Sequence, residues 1–207
     1  MYQPAHAKFI EHDSDSLYRL IREYPLATLV TLNDQGAEAN HVPFLLDTAQ
    51  PAKLNAHVPR ANPVWKALPN QRVLAIFQGP DAYISPSWYA SKREHGKVVP
   101  TWNYAIVHVR GTARVIEDKI WLKQHLELMT DTHERGFDHP WRVADAPSAY
   151  VEQLLGAIVG IEIEIEKIEG KFKLGQNRPE ADQLNVIREL ERIEPALAEL
   201  ARERLPK

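Results

Sequence analysis

The sequence predicts an α+β fold, a mainly antiparallel sheet of six strands with helices at its ends. Three observations predict it. Apolar residues alternate in short segments, most clearly where Val159, Ile161, Ile163 and Ile165 interleave with Glu162, Glu164 and Glu166. Short connections such as Asn33-Asp34-Gln35-Gly36 join neighbouring segments, as antiparallel strands require. Helical spacing falls at the start of the chain, in a short stretch at 62–68, over 118–155 and in the region after Pro179. The pattern fits a small antiparallel barrel decorated by helices.

Taken in order, Asp13 is the predicted N-cap of a helix whose Leu17, Leu20, Ile21 and Tyr24 share one face, and Pro25 ends it. Leu26 to Leu32 reads as a β-branched strand, and Ala37 to Leu46 as its return, held to an edge by Pro43. Lys53 to Val58 is a third strand. Asn62-Pro63 then supplies a cap and a first-turn proline for a short helix through Trp65 and Leu68. A fourth strand runs from Arg72 to Gln78. Residues 79–100, rich in Gly, Pro and aromatics, read as a functional or interface excursion. Thr101 to Val115 is a fifth strand with a bend expected near Gly111. Helices follow at Asp118–His133 and Pro147–Leu155, then the Val159–Glu166 strand with its glutamates on the solvated face. Two tail helices meet at Pro195.

A chain of 207 residues suits one domain, 1–207, of which 179–207 is a helical extension. With no cysteine, disulfides, thiolate metal sites and thiol nucleophiles are excluded. The first fifteen residues lack the apolar core of a signal peptide, and no stretch approaches a membrane span, so a cytoplasmic location is expected. A net charge of -3 offers nucleic acid no global attraction. The nine histidines show no metal-ligand spacing, and Gly156 and Gly160 form no dinucleotide loop.

Four clusters hold candidate chemistry. His57, Arg60 and Asn62 stand where a strand passes into a helix, an arrangement suited to a phosphate or, more plainly, to a capped helix beside a solvated arginine. Asn40 and His41 point to opposite faces of one strand, and no serine or carboxylate completes a triad with the histidine. Tyr83 to Tyr89 and Pro100 to Tyr104 group aromatics that suit either a planar ligand or a dimer interface. Gln176 and Arg178, in KFKLGQNR, either contact a ligand or form a basic turn.

In their order and spacing, the strings YPLATLV, NHVPFLL, HVPRANPVW, FQGPDAYISPSWY, VVPTWNYAIVHVRG and KFKLGQNRPEAD resemble the PaiB-type FMN-binding negative transcriptional regulators, from near Met1 to about Leu190. The resemblance implies a split β-barrel of the pyridoxamine-phosphate-oxidase-like class, with FMN held between the subunits of a homodimer. It implies a phosphate site at His57, Arg60 and Asn62, and a ring site lined by Thr28, Thr31, Asn40, His41 and Pro43. Trp102, Asn103, Gln176 and Arg178 are the further cofactor candidates, Trp102 from the partner subunit. Two positions depart from the family's pattern: Pro59 replaces a small residue and Gly175 a serine. The implied activity is regulation of transcription through DNA or a partner protein, with no catalytic residue assigned; the net charge of -3 leads to an expectation of weak or no sequence-specific DNA binding by the isolated protein. A flavin-dependent oxidoreductase is the alternative, and a haem-handling protein a third reading that no histidine supports.

Overall fold

The computed structural model describes Met1 and residues 7–205, in two compact units. Pro25–Ile76 and Val109–Lys167 make one, here the hairpin unit; Met1–Tyr24, Phe77–His108 and Ile168–Lys207 make the other, the terminal unit. The strands among the described residues are β1 (Ile10–Glu11), β2 (Leu26–Asn33), β3 (Gly36–Pro43), β4 (Leu45–Asp47), β5 (Lys53–Pro59), β6 (Arg72–Ile84), β7 (Thr101–Ile116) and β8 (Ile158–Lys173). They follow the order β3-β2-β6-β7-β8-β5-β4, with β1 on β8, and the long β6, β7 and β8 run through both units. The helices are α1 (Ser14–Glu23), α2 (Val64–Ala67), α3 (Ser91–His95), α4 (Lys119–Glu134), α5 (Ser148–Gly156), α6 (Glu180–Ile193) and α7 (Pro195–Arg202). None is long and apolar enough to cross a membrane.

In the hairpin unit, β2 and β3 pair antiparallel from Leu26 opposite Pro43 to Asn33 opposite Gly36. Ala27, Leu29 and Val42 face inward with Leu54, Ala56 and Val58 of β5 and Val159, Ile161 and Ile163 of β8, all nearly inaccessible. Alternate residues of β5 and β8 turn outward, and α4 packs on β5. Asp118 caps α4 by accepting the Trp121 N–H at 2.8 Å. A Cβ on Gly160 would lie 2.5 Å from the Trp121 ring, so a side chain there would displace the indole from β8.

In the terminal unit, Asp13 caps α1 by accepting the Ser16 N–H at 2.8 Å, and Leu17, Leu20 and Ile21 are buried. Helices α6 and α7 pack on each other through Val186, Ile187, Leu190, Leu197 and Ala201. Arg19 holds Glu203 in a two-bond fork of 2.8 and 2.6 Å.

The α+β, mainly antiparallel class agrees with expectation, but the described strands number eight and not six. The extra two are short. β1 has two residues, too few to show a period, and β4 is separated because the Phe44 N–H turns away to the Pro25 carbonyl at 2.9 Å. The excursion after Gln78 begins later than expected: β6 continues through Gly79 and Pro80 to Ile84, whose side chain is fully buried. The glutamate face also needs correction. Glu162 is buried and pairs with Lys53 at 3.1 Å, because its end of the strand carries β5 beside it; Glu166 remains exposed.

Candidate functional site

The sheet register divides the predicted ring-site residues. Opposed residues in an antiparallel pair share a face. Thr28 stands opposite His41 and Ile76, and Leu26 opposite Pro43, so Thr28, His41 and Pro43 belong to the outer face. That face is partly open: Thr28, Val30, Leu74 and Ile76 are half-buried, while Leu26 and Leu32 are each 62% exposed. Thr31 and Asn40 fall on the other face, with Thr31 only 2% exposed. The five residues therefore do not line one surface.

Asn40 and Asn62 do come together. The Asn62 Nδ2 donates to Asn40 Oδ1 at 3.0 Å, and the Asn62 Oδ1 accepts the Val64 N–H at 3.0 Å. Asn62 thus bonds two residues ahead, but the cap position falls on Pro63 and not on Asn62 as expected, and the helix that follows has only four residues. Such a helix sums too few peptide dipoles to attract a phosphate by itself. That part of the expected electrostatics is absent.

Arg60 has three polar partners. Its Nη1 donates to Glu117 at 2.6 Å, while Nε and Nη2 reach the carbonyls of Gly156 and Ile158 at 3.3 and 3.4 Å. The guanidinium also lies 5.6 Å from the Trp65 ring centroid, with Lys66 Nζ 5.8 Å from the same ring. Both partners of the Arg60–Glu117 pair are partly exposed, at 38% and 56% of their side chains. Water therefore screens the attraction, and a competing anion faces a weak rival. Glu117, Trp65 and Lys66 were missed by sequence reasoning; the Trp65-Lys66 pair beside Arg60 was the available signal.

His57 points elsewhere. It shares the outer face of β5 with Lys53 and Asn55, beneath α4, and its Nδ1 lies 3.2 Å from Nε2 of His125. His125 is 5% exposed and stacks on Trp121, ring centroids 5.1 Å apart and planes 10° apart. Burial, and secondarily His57, pushes His125 down to about 4; burial alone lowers His57. Both rings are neutral near pH 7, one donating the shared proton and one accepting it. The spacing Trp121-x-x-x-His125 puts both side chains on one helix face, and could have identified the pair's helical half.

The remaining candidates belong to the terminal unit. Trp102 is 54% exposed and meets Tyr83 edge to face, centroids 6.1 Å apart. Asn103 is buried, at 2% exposure. Gln176 spends both ends of its amide on its own loop, accepting from Leu174 N–H at 2.8 Å and donating to Phe172 carbonyl at 2.6 Å. Gly175 has φ +92°, a backbone conformation that a serine would occupy only under strain. Arg178 lies over the Tyr89 ring, 4.6 Å from its centroid. Among the described residues no group of three or more His, Asp or Glu gathers as a metal site.

Residues 1–167 match the family model described as "Putative FMN-binding domain". The "Protease synthase and sporulation protein PAI 2" of Bacillus subtilis is 34% identical over 213 residues, covering 100% of this chain and 99% of that protein. An uncharacterized protein of Emericella nidulans, AN0679, is 33% identical, with 86% of each chain covered. Two solved structures share the fold at a TM-score of 0.64: the flavocytochrome Anf3 of Azotobacter vinelandii and a FAD- and heme-binding protein of Mycobacterium smegmatis. They are 16% and 17% identical, covering 84% and 85% of this chain and 73% and 78% of theirs.

Proposed function

The chain belongs to this FMN-binding domain family and FMN is its cofactor, and from that premise we propose that it is a homodimeric negative regulator of transcription. The regulatory reading is supported by likeness to the Bacillus subtilis sporulation protein along the whole chain. The observation that carries the dimer is the outer face of β2, where Leu26 and Leu32 are each 62% exposed beside half-buried Thr28 and Val30. Two leucines this exposed on one strand face suit a second copy.

The residues present suit FMN in kind. Arg60 and Lys66 gather two cations at Trp65 for the phosphate, and the Asn40–Asn62 pair offers amides for the ribityl hydroxyls. Thr28, His41 and Pro43 offer the open sheet face to the ring, and in the dimer Trp102 supplies an exposed indole across the subunit boundary. Bound FMN would supply one- and two-electron redox chemistry. The protein's part is to orient it and to shield one face from water.

Light scattering with an FMN titration tests this. The parent should run as a dimer and bind FMN, and Leu32→Asp should yield monomer with weakened FMN binding. A parent monomer that holds FMN fully would overturn the dimer. Arg60→Ala should weaken FMN roughly ten- to a hundredfold, as loss of a charge-assisted bond of about 1.5–3 kcal/mol implies, and leave riboflavin almost unchanged. Equal losses for both flavins in a folded variant would move the phosphate anchor elsewhere. DNA retention and its fall with salt would test the regulatory step.

A further inference from the structure

In the hairpin unit, the last part of β5 is laddered on one side. β4 ends opposite Asn55, and among the described residues the ladder partner from Ala56 to Pro59 is β8, down to Pro59 opposite Ile158. That stretch leads straight into Arg60, whose backbone N–H closes onto the Ala157 carbonyl at 2.8 Å. A strand end paired along one edge opens more readily than one paired along both.

One helix face holds this strand end down. α4 packs on β5, and its His125 Nε2 lies 3.2 Å from Nδ1 of His57, three residues before Arg60. One turn earlier on the same helix face, Trp121 stacks on the His125 ring with centroids 5.1 Å apart. The indole rests against Gly160, the residue directly opposite His57 on β8, where a Cβ would lie 2.5 Å from the ring. His125 therefore meets β5 and Trp121 meets β8 at the same rung of the ladder.

That rung matters because Arg60 depends on both strands. Its main chain continues β5, while its Nε and Nη2 reach the Gly156 and Ile158 carbonyls where β8 begins, at 3.3 and 3.4 Å. Bonds as long as these orient a guanidinium only while the two strands keep their spacing. The tie above them is uncharged. Burial keeps both imidazoles neutral near pH 7, and among the described residues neither pairs with a carboxylate. Lys53, on the same face of β5, is taken by Glu162 at 3.1 Å. A neutral tie adds no net charge that would attract or repel a phosphate at Arg60.

On the reading of Arg60 as the phosphate anchor, we propose that His57, His125 and Trp121 form a clamp that positions its guanidinium for FMN, so that His57 serves the flavin site without touching the ligand. All three are positioning residues. They act through the spacing of β5 and β8, and the flavin contact is made by Arg60.

The test titrates FMN and riboflavin into the full-length chain by flavin fluorescence quenching, with circular dichroism confirming the fold of each variant. His125→Leu should weaken FMN roughly five- to tenfold and leave riboflavin within about twofold, the size expected of coupling inside one contact network. His125→Gln keeps a donor and an acceptor at the same place and should recover part of the loss. In an Arg60→Ala background, His125→Leu should change FMN by less than about twofold, because the residue it positions is gone. Trp121→Phe, a milder second variant, should give a smaller loss with the same preference for FMN. Equal losses for both flavins, equal behaviour of His125→Leu and His125→Gln, or an undiminished effect in the Arg60→Ala background would overturn the clamp. Normal FMN binding by His125→Leu, beside a loss in Arg60→Ala, would overturn the clamp and leave the anchor standing. Normal FMN binding by Arg60→Ala would overturn the anchor and the clamp together.

Discussion

The two units treat their cations differently. In the hairpin unit, four cations have a carboxylate from elsewhere in the chain: Lys53 with Glu162, Arg72 with Glu166, Arg114 with Glu164 and Arg60 with Glu117. The terminal unit also pairs Arg19 with Glu203 and Arg204 with Glu11. Among the described residues it leaves Lys173 and Arg178 without one, and spends the buried Asp182 on a serine. Among the described residues, ion pairs across the chain thus recur in both units, while Lys173 and Arg178 meet hydroxyl, carbonyl and aromatic partners instead. The contrast teaches that a cation's availability is decided by where the nearby carboxylates are committed, and not by the chain's net charge of -3.

The largest test of that contrast removes the commitment. Asp182→Ala strips two donors at Ser91 of a charged acceptor and should cost roughly 3–5 kcal/mol, read by urea unfolding at pH 7. A loss below about 1 kcal/mol would show that Asp182 does not organise the loop.

Next comes acid. His125 has a folded value of about 4 against an ordinary 6.5, because burial disfavours its charged form. Between those values the unfolded chain binds a proton that the folded chain refuses, so stability falls as pH falls from 6.5 to 4 and is flat from this source above 6.5. The loss should approach about 3 kcal/mol, and His125→Phe should flatten the profile across that window. A parent profile already flat from pH 6.5 to 4 would contradict the buried neutral pair.

The smallest effect sharpens the other side. Glu117→Gln should release Arg60 from an exposed pair worth up to about 1 kcal/mol and tighten FMN by as much as roughly fivefold. Riboflavin should be unaffected. Weaker FMN binding in this variant would mean that Glu117 positions Arg60 instead of competing for it.

Much of the fold was legible because local signals agreed. Asp13 caps the helix it was expected to cap, and the Asn33–Gly36 turn pairs the two strands on either side. Pro195 opens the last helix, as its missing N–H allows. The site was less legible. The alternation of β2 and β3 already separated Thr28 from Thr31 and Asn40 from His41, so one lining made of all four was not available to a flat ring. His57 and Arg60 were correctly placed along the chain at the end of β5, but chain position does not reveal what faces a side chain.

What the sequence by itself determined about this protein is its family, its strand and helix succession and the chemical types available at each end of the sheet. These depend on period, capping and turn chemistry, which act over a few residues. The tertiary structure alone decided that His57 meets His125, 68 residues further on, that Arg60 meets Glu117, 57 residues on, and that Asp182 is taken by Ser91, 91 residues earlier. Hydrogen bonds and ion pairs act over a few ångströms, and only the folded sheet brings residues so far apart in the chain within that range.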